Sequence, residues 1–413
     1  MKIAGLVAEY NPFHNGHLAH IEATKAALGP DTGIICCMSG DFVQRGEAAQ
    51  WSKTARAECA VRCGADVVFE LPVQWSLSSA EGFARGAVGL LDSLGVVDYL
   101  SFGSESPTAA PLERAAEALL DPAVDAAIRA ELPSGDSYAV IRQRVLERFM
   151  GEGARVIETP NNILAVEYIK AIYERGSRME PLATERRGAQ HDKPASGRIR
   201  SASELRSMTA AGKPIAPYMP REAHAVLERE RGQGRGPVLM GALETAVLSR
   251  LRMLGKADFA AIPDAAEGLE NRLAAAMEEP TLDGVLAAAK SKRYALARLR
   301  RMCMCAALGI RAGMNELSPP YARLLAVGPN GRELLRMIEG RARVPVITKS
   351  AMGRKLPREA RECFELNARA TAPLADIGED GAHLAQAFAA WRAFAAALLA
   401  EEIHVVARDF YHA

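Results

Sequence analysis

The sequence predicts an α/β protein: a doubly wound parallel sheet over residues 1–210, followed by a mostly α-helical domain over 211–413. Three observations carry this. Short apolar runs alternate with helical periods through the first 190 residues, the pattern of buried parallel strands joined by right-handed crossovers. Strand signals then largely vanish after residue 210. Finally, 413 residues, 49% of them hydrophobic and 24% charged, exceed one ordinary core and read as soluble globular domains.

Taken in order, the strands are "KIAGLVA", "GIICCM", "ADVVFELP" and "VVDYLSFG", each bounded by Gly, Pro or Asp. Helical periods fill 16–28, 51–64 and 79–94, and a further helix, "AVEYIKAIYERG" (165–176), ends on a glycine stop. Residues 107–150, rich in Ala, Glu and Arg, read as a helical insertion. "MEPLATERRG" gives another strand, with Arg186 and Arg187 at its carboxyl end. The Gly-, Pro-, Ser- and Arg-rich stretch 186–215 is the joint. Beyond it, 240–254, 283–308 and 384–410 are helical by period, and "RVPVIT" (343–348) is the one β-like run.

Bulk properties narrow the function classes. No window approaches about 18 uninterrupted apolar residues, so no membrane span is expected. "MKIAGLVAEYNPF" reads as a first strand rather than a signal peptide. Seven cysteines, an odd number without a regular framework, point to reduced thiols and a cytoplasmic location. Cys59 and Cys63 lack the partners of a metal set, and no metal site is assigned. A net charge of +1 makes no global argument for nucleic acid.

The chemistry concentrates in "VAEYNPFHNGHLAHI" (7–21). The first strand should end near Tyr10, where Asn11-Pro12 breaks the extended chain. A helix opening at Gly16 then sets His14 and His17 on one side, three residues apart. A glycine between them lets another molecule approach the backbone, and the helix N-terminus offers unpaired N–H groups suited to phosphate. Imidazole donors beside that terminus could stabilise charge on a reacting phosphoryl group. Zinc is the weaker reading, since no third ligand lies nearby.

In order, "VAEYNPFHNGHLAHI", "MSGDFVQRGE", "GADVVFELP", "FGSES", "TPNNILAVEYIKAI" and "SASELR" resemble the tRNA(Met) cytidine acetate ligase family, in the HxGH nucleotidyltransferase superfamily. The resemblance covers most of residues 1–210 and, more loosely, the helical half. It implies a nucleotidyltransferase-like, ATP-binding catalytic domain followed by a helical tRNA-binding domain. The implied reaction activates acetate with ATP to acetyl-adenylate and pyrophosphate, then acetylates the wobble cytidine of elongator tRNA(Met). Mg2+ would ride on the triphosphate, because no carboxylate pair suggests a protein site.

The resemblance also implies site residues. Val7, Ala8, Glu9, Tyr10, Asn11, Pro12, Phe13, His14, Asn15, Gly16, His17, Leu18, Ala19 and His20 would form the ATP cradle, with His14 and His17 catalytic. Gly103 would admit the adenine or ribose, though a plain turn glycine reads equally well. Asn161 and Asn162 are either helix caps or nucleotide contacts, and Arg186 and Arg187 would pair with phosphate. Ser201 or Ser203 would cap a helix carrying Arg206 to the β/γ-phosphates. Gln44 and Arg45 either bound the pocket or form a turn, and His191 is assigned no role.

For tRNA, "KSKRYALARLRR" (290–301) is the densest basic run. Helical spacing puts Leu296, Leu299, Cys303, Ala306 and Ile310 on one stripe. Tyr294, Arg298 and Arg301 fall on another, expected as an exposed basic strip. Lys290, Lys292 and Arg293 extend it, and Lys193, Arg198 and Arg200 would add to the groove. An adenylyltransferase acting on a small metabolite is the alternative, but it leaves the helical half unexplained. A non-catalytic RNA-binding protein with a decayed nucleotide site fits poorly with intact His14, Gly16 and His17.

Overall fold

A computed structural model describes residues 1–106, 108–185, 199–266 and 268–375. Among these residues, nine strands occur: β1 (Ile3–Ala8), β2 (Gly33–Ser39), β3 (Phe42–Val43), β4 (Glu47–Ala48), β5 (Val67–Leu71), β6 (Tyr99–Ser104), β7 (Glu180–Glu185), β8 (Ala322–Val327) and β9 (Val346–Ile347). Seven form one sheet in the order β7-β6-β1-β2-β5-β8-β9, and β3 and β4 make a separate hairpin. β1, β2, β5, β6 and β7 run parallel, as expected. β8 joins β5 antiparallel, with β9 parallel to β8.

Alternation builds two cores. Ile35, Cys37, Val67, Phe69 and Leu100 face one side of the sheet, packing with helices Ala80–Ser93 and Pro160–Glu174. Ala4, Leu6, Ile34, Cys36, Met38 and Val68 face the other, under helices α1 (Asn15–Leu28) and α2 (Lys53–Arg62). Burial on both faces explains why these strands read as continuous apolar runs. The 107–150 segment supplies helices Ala110–Leu120, Pro122–Glu131 and Tyr138–Met150. A third core gathers helices from 240–308 around Leu251, Phe259, Leu299 and Met302.

The chain order matters for the site. From β1 it moves outward through β2 to β5, then returns to β6 on the opposite side of β1. The strand order therefore reverses between β1 and β6, and a crevice opens there at the carboxyl ends.

Three strands were not expected: the short hairpin strands β3 and β4, and β8. Ala322–Val327 ("ARLLAV") is made largely of helix formers, yet it pairs with β5, and Arg323 sits 3.4 Å from Glu70. Tertiary pairing overrides local preference there. With β9 it draws the sheet past residue 210. The helix expected over 384–410 lies outside the described residues.

Candidate active site

A buried arginine sets the frame. Arg56, on α2 and 0% exposed, donates through Nη1 to Glu9 O (2.6 Å) and Ser39 O (3.0 Å). Its Nε donates to Trp51 O at 2.8 Å, and Nη2 donates to Gly40 O. It thus ties the ends of β1 and β2 together through carbonyls at and just beyond the strand ends. After Glu9 the chain turns sharply: Tyr10 adopts φ +46°, its ring buried against Phe13 and its hydroxyl 3.3 Å from Cys36 Sγ. Such strain in a non-glycine residue persists only where surroundings fix it. Asn11 is held at both ends, its Oδ1 accepting Gln50 N–H (2.9 Å) and its carbonyl accepting Arg206 Nη1 (3.1 Å).

The histidines follow as a reciprocal cap. His14 is the N-cap of α1, and its Nδ1 accepts Gly16 N–H at 3.0 Å. In return His17 Nδ1 accepts His14 N–H at 3.2 Å. The rings stack with centroids 3.8 Å apart and planes at 27°, and Tyr10 packs edge-on to His17 at 4.9 Å. Here the two imidazoles take the places that a hydroxyl and a carboxylate fill in the usual capping box. An Nδ1 that accepts holds no proton, so each ring carries its N–H on Nε2 as a donor. Gly16 has a reason the sequence did not reveal. A Cβ there would sit 2.9 Å from His14 Cε1, so the missing side chain makes room for the ring itself.

A cavity of about 840 Å³ opens over this turn. The carboxyl ends of β1, β6 and β7 form its floor, and α1 forms one wall through Ala19, His20 and Ala23. The turn of the β3–β4 hairpin brings Gln44 and Arg45 to the rim, and Ile199–Ala202 close another side. Of the expected cradle, Val7, Ala8, Glu9, Tyr10, Asn11, His14, Gly16, His17, Ala19 and His20 line this cavity, as do Gly103 and Asn161. No described residue lies within 4 Å of where a Gly103 Cβ would stand.

Other expected residues sit elsewhere. Pro12 does not line the cavity, Phe13 is sealed in the core, Asn15 Nδ2 donates to Pro217 O at 3.4 Å, and Leu18 packs into the α1 core. Asn162 is a buried acceptor for Ser104 Oγ (2.7 Å) and Glu105 N–H (3.0 Å), whereas Asn161 donates to Glu105 Oε1. Helix Ala202–Ala210 is capped by Ser201, not Ser203, in a box with Glu204. Ser203 instead accepts Arg206 Nη2 at 3.3 Å, so both residues brace the Asn11 loop from outside the lining. Arg186, Arg187, His191, Lys193 and Arg198 lie outside the described residues. Phe83, Phe102, Leu164 and Tyr168 also line the cavity. Nothing local separates such aromatic and aliphatic positions from ordinary core.

Glu9 is the notable charge here. Burial pushes its carboxyl above the ordinary value, although Gln44 N–H (2.9 Å from Oε1) and the guanidiniums of Arg206, Arg45 and Arg56 pull it back. Among the described residues, no group of three His, Cys, Asp or Glu side chains could hold a metal ion.

The basic strip differs from its expectation. Tyr294 is buried, and Arg298 lies over its ring at 5.0 Å while donating to Asp264 O at 2.7 Å. Arg301 pairs with Asp264 at 3.2 Å, and Arg293 donates to Leu132 O at 3.2 Å. This face of helix Leu296–Leu308 packs on the 261–266 loop rather than on solvent. Lys290 and Lys292 are exposed. Arg200 stacks on Tyr218 at 4.7 Å.

Comparison with known proteins agrees with this geometry. The model of HIGH nucleotidyl transferases matches residues 1–381. The tRNA(Met) cytidine acetate ligase of Thermosipho melanesiensis is 36% identical over 367 residues, covering 86% of each chain. The chain belongs to the tRNA(Met) cytidine acetate ligase family. The member from Acetivibrio thermocellus is 34% identical over 367 residues, covering 84% of this chain and 88% of its own. Thermotoga maritima TmcAL, in a crystal structure with alpha-thio ATP, superposes with TM-score 0.87 at 33% identity, covering 92% of this chain and 95% of its own. The apo form of that family member gives TM-score 0.88.

Proposed function

We infer that this protein is an ATP-dependent acetate ligase that forms acetyl-adenylate and acetylates N4 of the wobble cytidine of elongator tRNA(Met). One observation carries the reading: in a member of this family, the reciprocal histidine cap opens the N-terminus of α1 onto a cavity at the switch between β1 and β6. That terminus and two Nε2–H donors suit a triphosphate whose α-phosphorus is attacked. An acetate oxygen bonds that phosphorus and pyrophosphate leaves, so the protein's task is positioning and charge stabilisation. Walls of Ala19, Ala23, Gly103 and Ala183 leave a smooth slot for the nucleoside. His14, His17, Glu9, His20, Gly103 and Asn161 are the contacts we assign to ATP. Arg186 and Arg187 continue the chain directly beyond β7, whose end lines the cavity. Mg2+ would come bound to the triphosphate, as no group of three His, Cys, Asp or Glu side chains among the described residues could hold it.

No described helix is long and apolar enough to cross a membrane. The substrate places the enzyme in the cytoplasm, with a helical half that holds the tRNA, Lys290 and Lys292 among its phosphate contacts. Purified protein given ATP, acetate and a tRNA(Met) transcript should form N4-acetylcytidine, and a transcript with uridine at the wobble position should stay unmodified. Product formed without tRNA on a small acceptor, or none under conditions where a characterised relative works, contradicts the reading.

A further inference from the structure

Transfer of an acyl group to an exocyclic amine must dispose of a proton, and the acceptor must lie within hydrogen-bond reach of the nitrogen. The two catalytic histidines are unsuited to that task. Each Nδ1 already accepts a backbone N–H (3.0 and 3.2 Å), which leaves Nε2–H, a donor, as the remaining ring function. Arg45 and Arg200 at the rim offer no acceptor.

His20 belongs to another part of the cavity. Thr24 Oγ1 donates to His20 O (2.9 Å), so Ser101 must donate to Thr24 Oγ1 (2.7 Å) and His20 Nε2 to Ser101 Oγ (3.0 Å). The ring is therefore anchored on β6, one turn further along α1 than His17 and beside the alanine wall. Among the described residues, three carboxylates line the cavity. Glu22 and Glu185 are exposed, on α1 and at the end of β7. Glu9 is less exposed, follows β1 directly and precedes His14 by five residues. Gln44 N–H fixes its Oε1 at 2.9 Å, while Oε2 takes no hydrogen bond from any described residue. Burial makes this carboxylate more basic than usual, the direction a proton acceptor needs.

Resting on the ligase reading, we propose that Glu9 accepts the proton of the cytidine exocyclic amine during acetyl transfer. The amine nitrogen bonds the acetyl carbonyl carbon, and the bond from that carbon to the phosphate oxygen breaks. Its electron pair leaves with AMP. The N–H proton passes to Glu9 Oε2 and then to solvent.

Two half-reactions measured on one preparation test this. Transfer is followed in single turnovers with preformed acetyl-adenylate and tRNA(Met), and activation by acetate-dependent ATP–pyrophosphate exchange. Glu9→Gln keeps an acceptor for Gln44 N–H, so it should fold. Its transfer rate should fall about 100-fold, within the range of general-base catalysis, and at least tenfold more than its exchange. Wild-type transfer should rise with pH through one ionisation that Glu9→Gln lacks, and Glu9→Asp should recover part of the rate. Equal losses in both half-reactions, or an unchanged pH profile in Glu9→Gln, overturn the role. A wild-type protein that neither exchanges nor transfers overturns the ligase reading itself, and the role of Glu9 with it.

Discussion

At position 14 one imidazole does two jobs, and substitution can separate them. His14 caps α1 through Nδ1, and the same geometry fixes its Nε2–H as a donor. His14→Ala loses both functions, and loss of an N-cap costs about 1 kcal/mol of stability. Asparagine is a good N-cap, so His14→Asn should keep near-wild-type stability while losing the ring donor. Thermal melts of the two variants check this: His14→Ala should melt lower than His14→Asn. Gly16 supports the same ring. Its lack of a side chain serves the His14 ring, so Gly16→Ala should disturb the cap without blocking ligand entry directly.

At the scale of elements, the α2 helix secures the ends of β1 and β2 through one side chain. Arg56→Met leaves the carbonyls of Glu9, Ser39 and Gly40 without their donor in a dry interior. Breaking a buried charged network of this kind costs about 3–5 kcal/mol. Chemical denaturation should show a loss of that order, and a change below about 1 kcal/mol would count against Arg56 as the tie. Much of this frame was legible locally. β1 and β2 are largely apolar runs, β5 is apolar apart from Glu70 and β6 apart from its serines, and the break at Asn11-Pro12 marks the loop that carries the histidines. β8 was hidden because "ARLLAV" favours helix until β5 pairs with it. The roles of Asn161 and Asn162 were open for a similar reason: adjacent identical residues differ only in which way α-helical geometry turns them. The Arg298 and Arg301 strip failed because sequence spacing shows a face but not what covers it.

Across the whole molecule, a buried charge cluster joins segments far apart in sequence. Lys53 Nζ reaches Glu70 (2.7 Å), Asp41 (3.2 Å) and Thr371 Oγ1 (2.7 Å), and Thr371 in turn donates to Asp41 at 2.8 Å. Asn367 accepts Val73 N–H at 3.0 Å, so helix Arg358–Ala375 is held by polar contacts to the segments that follow β2 and β5. Burial alone would raise the Asp41 carboxyl, but Lys53, Arg56 and Thr371 together hold it below the ordinary carboxylate value. A carboxyl lowered in the folded state stabilises above its unfolded value and loses that contribution as pH falls through the folded one. Lys53→Met should therefore destabilise strongly at pH 7. That penalty should shrink as pH falls out of the ordinary carboxylate range and through the lowered Asp41 value, as Asp41 protonates. Denaturation midpoints measured from pH 7 to pH 3 check this, and a penalty independent of pH would contradict it.

The most direct test of the account is acetate-dependent ATP–pyrophosphate exchange in wild-type protein and in His14→Asn, with folding verified in both. Robust exchange is expected in the wild type and a loss of about 100-fold in the variant, the scale of one lost transition-state donor. Wild-type exchange in a correctly folded His14→Asn protein would show that the imidazole donor does not act on the triphosphate.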